Sequence, residues 1–151
     1  MTDIIRIPKV NRVHIKDFRI IEDADIEFGP KLNIIIGEAG GGKTTVIEYL
    51  IKNANLEFEK RFEKLNREQQ LSRTQQIEIQ IQQAINPSCL LMDNLLSELN
   101  QKNRLKILKE LENCGSQVIV TLHWENLKEI KGKIDAKIIN LDHFKIKWKN
   151  R

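Results

Sequence analysis

No apolar run in the 151 residues is long enough to span a bilayer, and Met1-Thr2-Asp3 opens the chain without a signal-peptide pattern. Cysteine is scarce: Cys89 and Cys114 stand alone, at a spacing that suits no metal site. There is no internal repeat and no low-complexity linker. These absences argue against a helical membrane protein, a cysteine-ligated zinc domain and a repeat array. Charge of neither sign dominates. The net charge of +4 is compatible with nucleic acid but does not demand it. Much of the basic excess lies in Lys145, Lys147, Lys149 and Arg151, as on a solvated strand face and tail. At this length a single domain, residues 1–151, is expected.

What the chain does have is a glycine loop. Gly37-Glu38-Ala39-Gly40-Gly41-Gly42-Lys43-Thr44 satisfies every fixed position of the phosphate-binding pattern G-x-x-x-x-G-K-[ST]. It follows the apolar run Leu32-Asn33-Ile34-Ile35-Ile36 and precedes a helical pattern over 45–51, the strand–loop–helix context that the pattern requires. Glycine lets the backbone turn its N–H groups toward phosphates, and the helix N-terminus adds a favourable dipole. In that reading residues 37–45, through Thr45, cradle the phosphates; Lys43 reaches the β- and γ-phosphates, and the Thr44 hydroxyl ligates Mg²⁺. A chance match in a chain this long arises on the order of half a per cent of the time, so the loop carries the functional argument. With such a loop the expectation is a cytoplasmic chain with reduced thiols, Cys89 buried as a small hydrophobe.

The remaining pattern is α/β. Val13-His14-Ile15 and Asp25-Ile26-Glu27-Phe28 alternate as a hairpin or meander before the turn Gly29-Pro30. Ile47, Leu50, Ile51 and Ala54 mark one helical face, and Phe58, Phe62 and Leu65 another. Ser72-Arg73-Thr74-Gln75 fits a capping box, and Ile77, Ile81 and Ile85 continue its stripe until Pro87. Cys89-Leu90-Leu91-Met92 and Val118-Ile119-Val120-Thr121-Leu122 read as strands buried on both faces; between them Leu105, Leu108 and Leu111 mark a helix closed by Gly115. Ile138-Ile139-Asn140-Leu141 and the alternating Phe144, Ile146 and Trp148 supply two last strands. The expected architecture is a mostly parallel core sheet with helices on its faces and an N-terminal antiparallel lobe. Asp93, after the first buried strand, is the carboxylate placed to meet a metal beside the loop, since ligands gather at strand carboxyl ends in such sheets.

The motif order resembles the ABC-type phosphate-loop ATPases, and within them the branch of the SMC, RecF and double-strand-break-repair ATPases. Val13-His14-Ile15-Lys16-Asp17-Phe18-Arg19, Ile26-Glu27-Phe28 and Leu32-Asn33-Ile34-Ile35-Ile36-Gly37 are similar to that branch's N-terminal lobe. Leu71-Ser72-Arg73-Thr74-Gln75 resembles a degraded signature Leu-Ser-Gly-Gly-Gln, Ser97-Glu98-Leu99-Asn100 the D-loop, and His123 the switch histidine. The resemblance implies the three-layer sandwich of those ATPases, ATP and Mg²⁺ as ligands, and an ATP-dependent head-to-tail homodimer. It implies that Arg19 contacts the nucleotide, that Ser72 reaches the γ-phosphate of a second copy, and that His123 senses it. Asp93 and Thr44 would hold the metal. Ser72 also has a local role open to it, as the cap of its own helix, and the two roles are compatible.

Three departures shape the functional expectation. The glutamate that activates water in that family is Asn94 here, and an amide positions water but does not accept its proton. The signature glycines are Arg73 and Thr74. Only residues 45–71 separate Thr44 from Ser72, which leaves no room for a transporter's helical subdomain or a long coiled coil; residues 56–70 make a link of roughly 20 Å at helical rise. The expectation is therefore a weak ATPase or ATP-gated switch, in a DNA-maintenance, mobile-element or defence setting with a DNA or protein partner. The alternative is a non-hydrolysing regulatory module, and a transporter motor is third.

Overall fold

Mostly apolar runs become the central strands, while alternating runs become a separate sheet with one face in water. The computed structural model describes residues 4–38, 42–54, 72–75, 77 and 89–146. Its larger sheet contains β1 (Ile4–Ile7), β4 (Leu32–Gly37), β5 (Cys89–Met92), β6 (Gln117–His123) and β7 (Lys137–Asn140), in the order β1-β5-β6-β4-β7. The pairings β5·β6, β6·β4 and β4·β7 are parallel; β1 runs antiparallel along the β5 edge, from Ile4↔Met92 to Ile7↔Cys89. The smaller sheet joins β2 (Arg12–Phe18), β3 (Ile21–Glu27) and the short β8 (Lys145–Ile146), all antiparallel.

Strand alternation sends side chains to two cores. Ile34 and Ile36 of β4, Leu90 and Met92 of β5, and Val120 and Leu122 of β6 pack with Ile107, Leu108 and Leu111 of helix α2 (Gln101–Glu112). On the other face Ile35, Leu91 and Ile119 pack with Val46, Ile47 and Leu50 of helix α1 (Lys43–Ala54), together with Ile15, Ile21 and Ile26 of the smaller sheet. The antiparallel lobe is thus anchored to the central sheet beside α1.

Most of the strand and helix readings hold, with local corrections. The edge strand β1 has no counterpart in the sequence reading: Ile4-Ile5-Arg6-Ile7 is short and takes its register from β5. Of the expected last strands, Leu141 belongs instead to the 3₁₀ turn Leu141–His143, which Phe144 caps, and Lys145–Ile146 form β8. Phe58, Phe62, Leu65, Ile81, Ile85, Pro87 and Trp148 lie outside the described residues. The capping box is present: Ser72 N–H donates to Gln75 Oε1 and Gln75 N–H to Ser72 Oγ, both at 3.2 Å. No helix among the described residues is long and apolar enough to cross a membrane.

One buried cation stitches the loops at the carboxyl edge of the sheet. Arg104 of α2, 8% exposed, donates from Nε to Leu96 O at 3.1 Å and from Nη2 to Leu99 O at 2.7 Å. Its Nη1 grips the Glu129 carboxylate at 2.7 and 3.0 Å, on helix α3 (Leu127–Ile130). The segment after β5 is thereby tied to the segment after β6. Arg104→Ala strands a largely buried carboxylate and two carbonyls, and is expected to lower stability by about 3–5 kcal/mol in urea denaturation. A loss below about 1 kcal/mol would mean that water replaces the guanidinium at all three acceptors.

Candidate nucleotide-binding site

The parallel strands β4, β6 and β5 release their chains at one edge of the sheet. Gly37 ends β4 directly opposite His123 at the end of β6, and Asp93 follows the last paired residue of β5, Met92, which faces Val120. A cleft of about 410 Å³ opens there. Lys43, Thr44 and Thr45 from the start of α1, Asn94 and Ser97 after β5, and Thr121 and His123 of β6 are among its walls. Residues distant in sequence are thus gathered on one site, as the parallel topology requires.

Lys43 is only 8% exposed. Its ammonium donates to Gly37 O at 2.7 Å and Glu38 O at 3.3 Å. Burial lowers its pKa, and the negative charge of Asp93 opposes that shift. A buried ammonium held by carbonyl oxygens suits an incoming anion. Thr44 stands exposed in the cleft beside it, and Thr45 is buried. Gly42 turns the chain into α1 at φ +102°, a region outside the reach of ordinary L-residues. A Cβ there would meet Ile21, Leu141 and Ile146 side chains at ordinary contact distances, so the obstacle is torsional. Gly42→Ala is expected to cost about 1–3 kcal/mol in thermal or urea denaturation, and to weaken any ligand the loop holds. Unchanged stability would show that the loop reaches another conformation without strain. Ala39, Gly40 and Gly41 lie outside the described residues.

Asp93 is not itself a cleft wall; it is joined to one. Thr121 Oγ1 donates to Asp93 Oδ1 at 2.9 Å and accepts the Asn94 N–H at 2.9 Å. Asn94 takes a left-handed backbone, φ +60°, which asparagine tolerates better than most residues. Ser97 Oγ donates to Asn94 O at 2.7 Å, so both backbone polar groups of Asn94 are held by hydroxyls. His123 Nδ1 accepts the Glu125 N–H at 3.4 Å and lies 3.9 Å from the Glu125 carboxylate. Trp124 is 49% exposed, and its ring is stacked beside that of His123 with centroids 6.5 Å apart.

Arg19 is not among the residues lining this cleft, and Ser72, expected to act on a second copy, lines another. Arg19, at φ +53° in the β2–β3 turn, pairs with Glu48 of α1 at 3.3 Å, and its neighbour Ile20 lines the cleft instead. Ser72 lines a second cleft of about 450 Å³ with Arg73, Gln75, Glu98, Asn100 and Lys106. Within one chain Ser72 and Lys43 therefore belong to separate clefts. The turn Leu96–Glu98 divides them: Ser97 faces the first, while Glu98 lines the second and pairs with Arg73 at 2.7 Å. Sequence reading missed Thr121 and Arg104. Thr121 had a signal: a hydroxyl in a strand buried on both faces must find a partner.

Comparison with known proteins reaches the same part of the chain. The AAA domain family model matches residues 12–51, which include the whole glycine loop. Over 39 residues, 26% of the chain, it is 49% identical to the DNA replication and repair protein RecF of Salmonella arizonae, Salmonella typhi and Enterobacter sp. strain 638. That segment is 11% of each RecF, so the chain spans a small fraction of the length of these relatives. No solved structure gives a significant match. The likeness is to phosphate-loop ATPases of the RecF kind. It extends over residues 12–51 in the family match; the site residues from Asp93 onward rest on the fold alone.

The donor set also fits the group that such ATPases hold. Mg²⁺ takes hard oxygen ligands, keeps several waters, and is usually bound by one or two protein oxygens together with phosphates. The Thr44 hydroxyl and the Asp93 carboxylate are oxygens of that kind, and Lys43 lies close enough to Asp93 to feel its charge.

Proposed function

We propose that this chain binds ATP·Mg²⁺ as an ATPase domain of the ABC type, and that the nucleotide gates its dimerisation. The carrying observation is the convergence of Lys43, Thr44, Asn94 and His123 on one cleft, with Asp93 tethered at its wall through Thr121. Lys43 and the loop backbone would hold the phosphates, and Thr44 and Asp93 the cation. Neutralisation of charge between the β- and γ-phosphate oxygens is the chemistry a bound Mg²⁺ would supply. An imidazole N–H of His123 would suit a γ-phosphate oxygen, and the Asn94 amide the attacking water.

Separation of the two clefts supports a site completed by a second copy. Ser72 caps a helix whose N-terminus lines the second cleft, away from the Lys43 of its own chain. A head-to-tail pair would bring that helix end to the partner's phosphates, where its dipole favours anions. Similarity to a replication and repair protein supports a DNA-maintenance setting. One observation favours a second reading, a non-hydrolysing nucleotide-binding module. The position after Asp93 carries an amide, and the nearby carboxylate of Glu98 is engaged by Arg73.

Sedimentation with a non-hydrolysable ATP analogue and Mg²⁺ tests the proposal. A dimer is expected that the nucleotide-free protein lacks and that Ser72→Arg prevents. A monomer under all nucleotide conditions would remove the trans site and leave Ser72 as a helix cap alone.

A further inference from the structure

Thr121 is 2% exposed, in a strand whose other central residues are aliphatic. Isolated in such a place, a hydroxyl is costly unless its donor and acceptor capacity are both used. Here both are: the proton goes to Asp93 Oδ1, and a lone pair takes the Asn94 N–H. Oδ2 is then the Asp93 oxygen without a hydrogen bond among the described residues, and Asn94 is held in its left-handed turn with its side chain at the cleft. Both partners lie on another strand's exit, about 28 positions away, so nothing local produces the arrangement.

We propose that Thr121 is the positioning residue of the metal side of the cleft: its hydroxyl orients the Asp93 carboxylate toward a divalent cation and fixes Asn94 beside it. This rests on the ATP·Mg²⁺ reading and adds a residue to it. A hydrogen bond to one carboxylate oxygen sets the plane of the group and leaves the other oxygen to ligate. Partners of this kind are worth about 10–100-fold in metal affinity. Because Thr121 does not belong to the phosphate-holding loop, its loss should weaken the metal and spare the phosphates.

The test separates those two effects. ATP binding is measured by calorimetry in EDTA, and then as a function of Mg²⁺ at fixed ATP. Thr121→Val removes the hydroxyl at nearly constant volume, and Thr121→Ala removes it with volume to spare, so that one folded variant suffices. Either should raise the Mg²⁺ midpoint about tenfold or more, with affinity in EDTA within about twofold of wild type. Thr121→Ser should restore the midpoint. A folded Val or Ala variant with an unchanged midpoint would overturn the inference. So would an equal loss of affinity with and without Mg²⁺, which marks a purely structural role. Wild-type protein that binds no ATP under either condition would overturn the functional reading first, and this inference with it.

Discussion

Replacing Lys43 with alanine is expected to abolish ATP binding in calorimetry. The Lys43 ammonium is partly shielded from water, burial lowers its pKa, and among the described residues the carbonyl oxygens of Gly37 and Glu38 accept from it. Charge-assisted bonds from an ammonium held in a buried site add to phosphate binding with little further loss. Without the ammonium, phosphate oxygens would enter a buried site with a charge unpaired. A cost of about 4 kcal/mol or more is expected, roughly a thousandfold in affinity. The ligand-free variant should stay folded, since its lost bonds go to two carbonyls at the rim of a cleft. Wild-type-like affinity in Lys43→Ala would show that the loop does not hold phosphate and would sink the nucleotide reading.

The second large effect concerns rate. Asn94→Glu is expected to raise ATP turnover by at least about tenfold, toward the 10²–10⁴ typical of a positioned general base. Phosphoryl transfer depends mainly on positioning and charge stabilisation, so an amide that orients water permits slow hydrolysis, and a carboxylate adds proton acceptance. The backbone works against the exchange. At φ +60° glutamate carries a penalty that asparagine largely avoids, on the order of 1–2 kcal/mol, so the faster variant should also be the less stable one. Its ATP-bound dimer should be shorter-lived. An unchanged, measurable rate would place the base elsewhere; Glu98 would then have to leave Arg73 and the second cleft to serve. If neither form hydrolyses ATP while both bind it, the non-enzymatic module becomes the better reading.

Asn94 illustrates why a substitution read from sequence alone has two meanings. As a motif position it is a missing glutamate. In the fold it is also a residue in a left-handed turn, with its N–H on Thr121 and its C=O on Ser97. Its identity has a conformational reason that stands apart from catalysis. Arg19 makes the same point from the other side. The resemblance implies a nucleotide contact for Arg19; the fold pairs its guanidinium with Glu48, and its neighbour Ile20 lines the cleft.

What the sequence determined by itself is local. The glycine loop between an apolar strand and a helix, the doubly buried runs ending at Met92 and His123, and the reciprocal Ser72–Gln75 cap each depend on residues a few positions apart. Backbone torsion, periodicity and capping encode such features directly, so they were legible. The tertiary structure alone decided the rest. It set β1 antiparallel on the β5 edge, joined Thr121 to Asp93 and Asn94, tied Arg104 to Glu129, and put Ser72 and Lys43 in different clefts. Each of these depends on strand order and register, which are set by how two hydrophobic cores close on opposite faces of one sheet. Contacts made across that sheet join segments distant along the chain, and no short window of residues contains both partners.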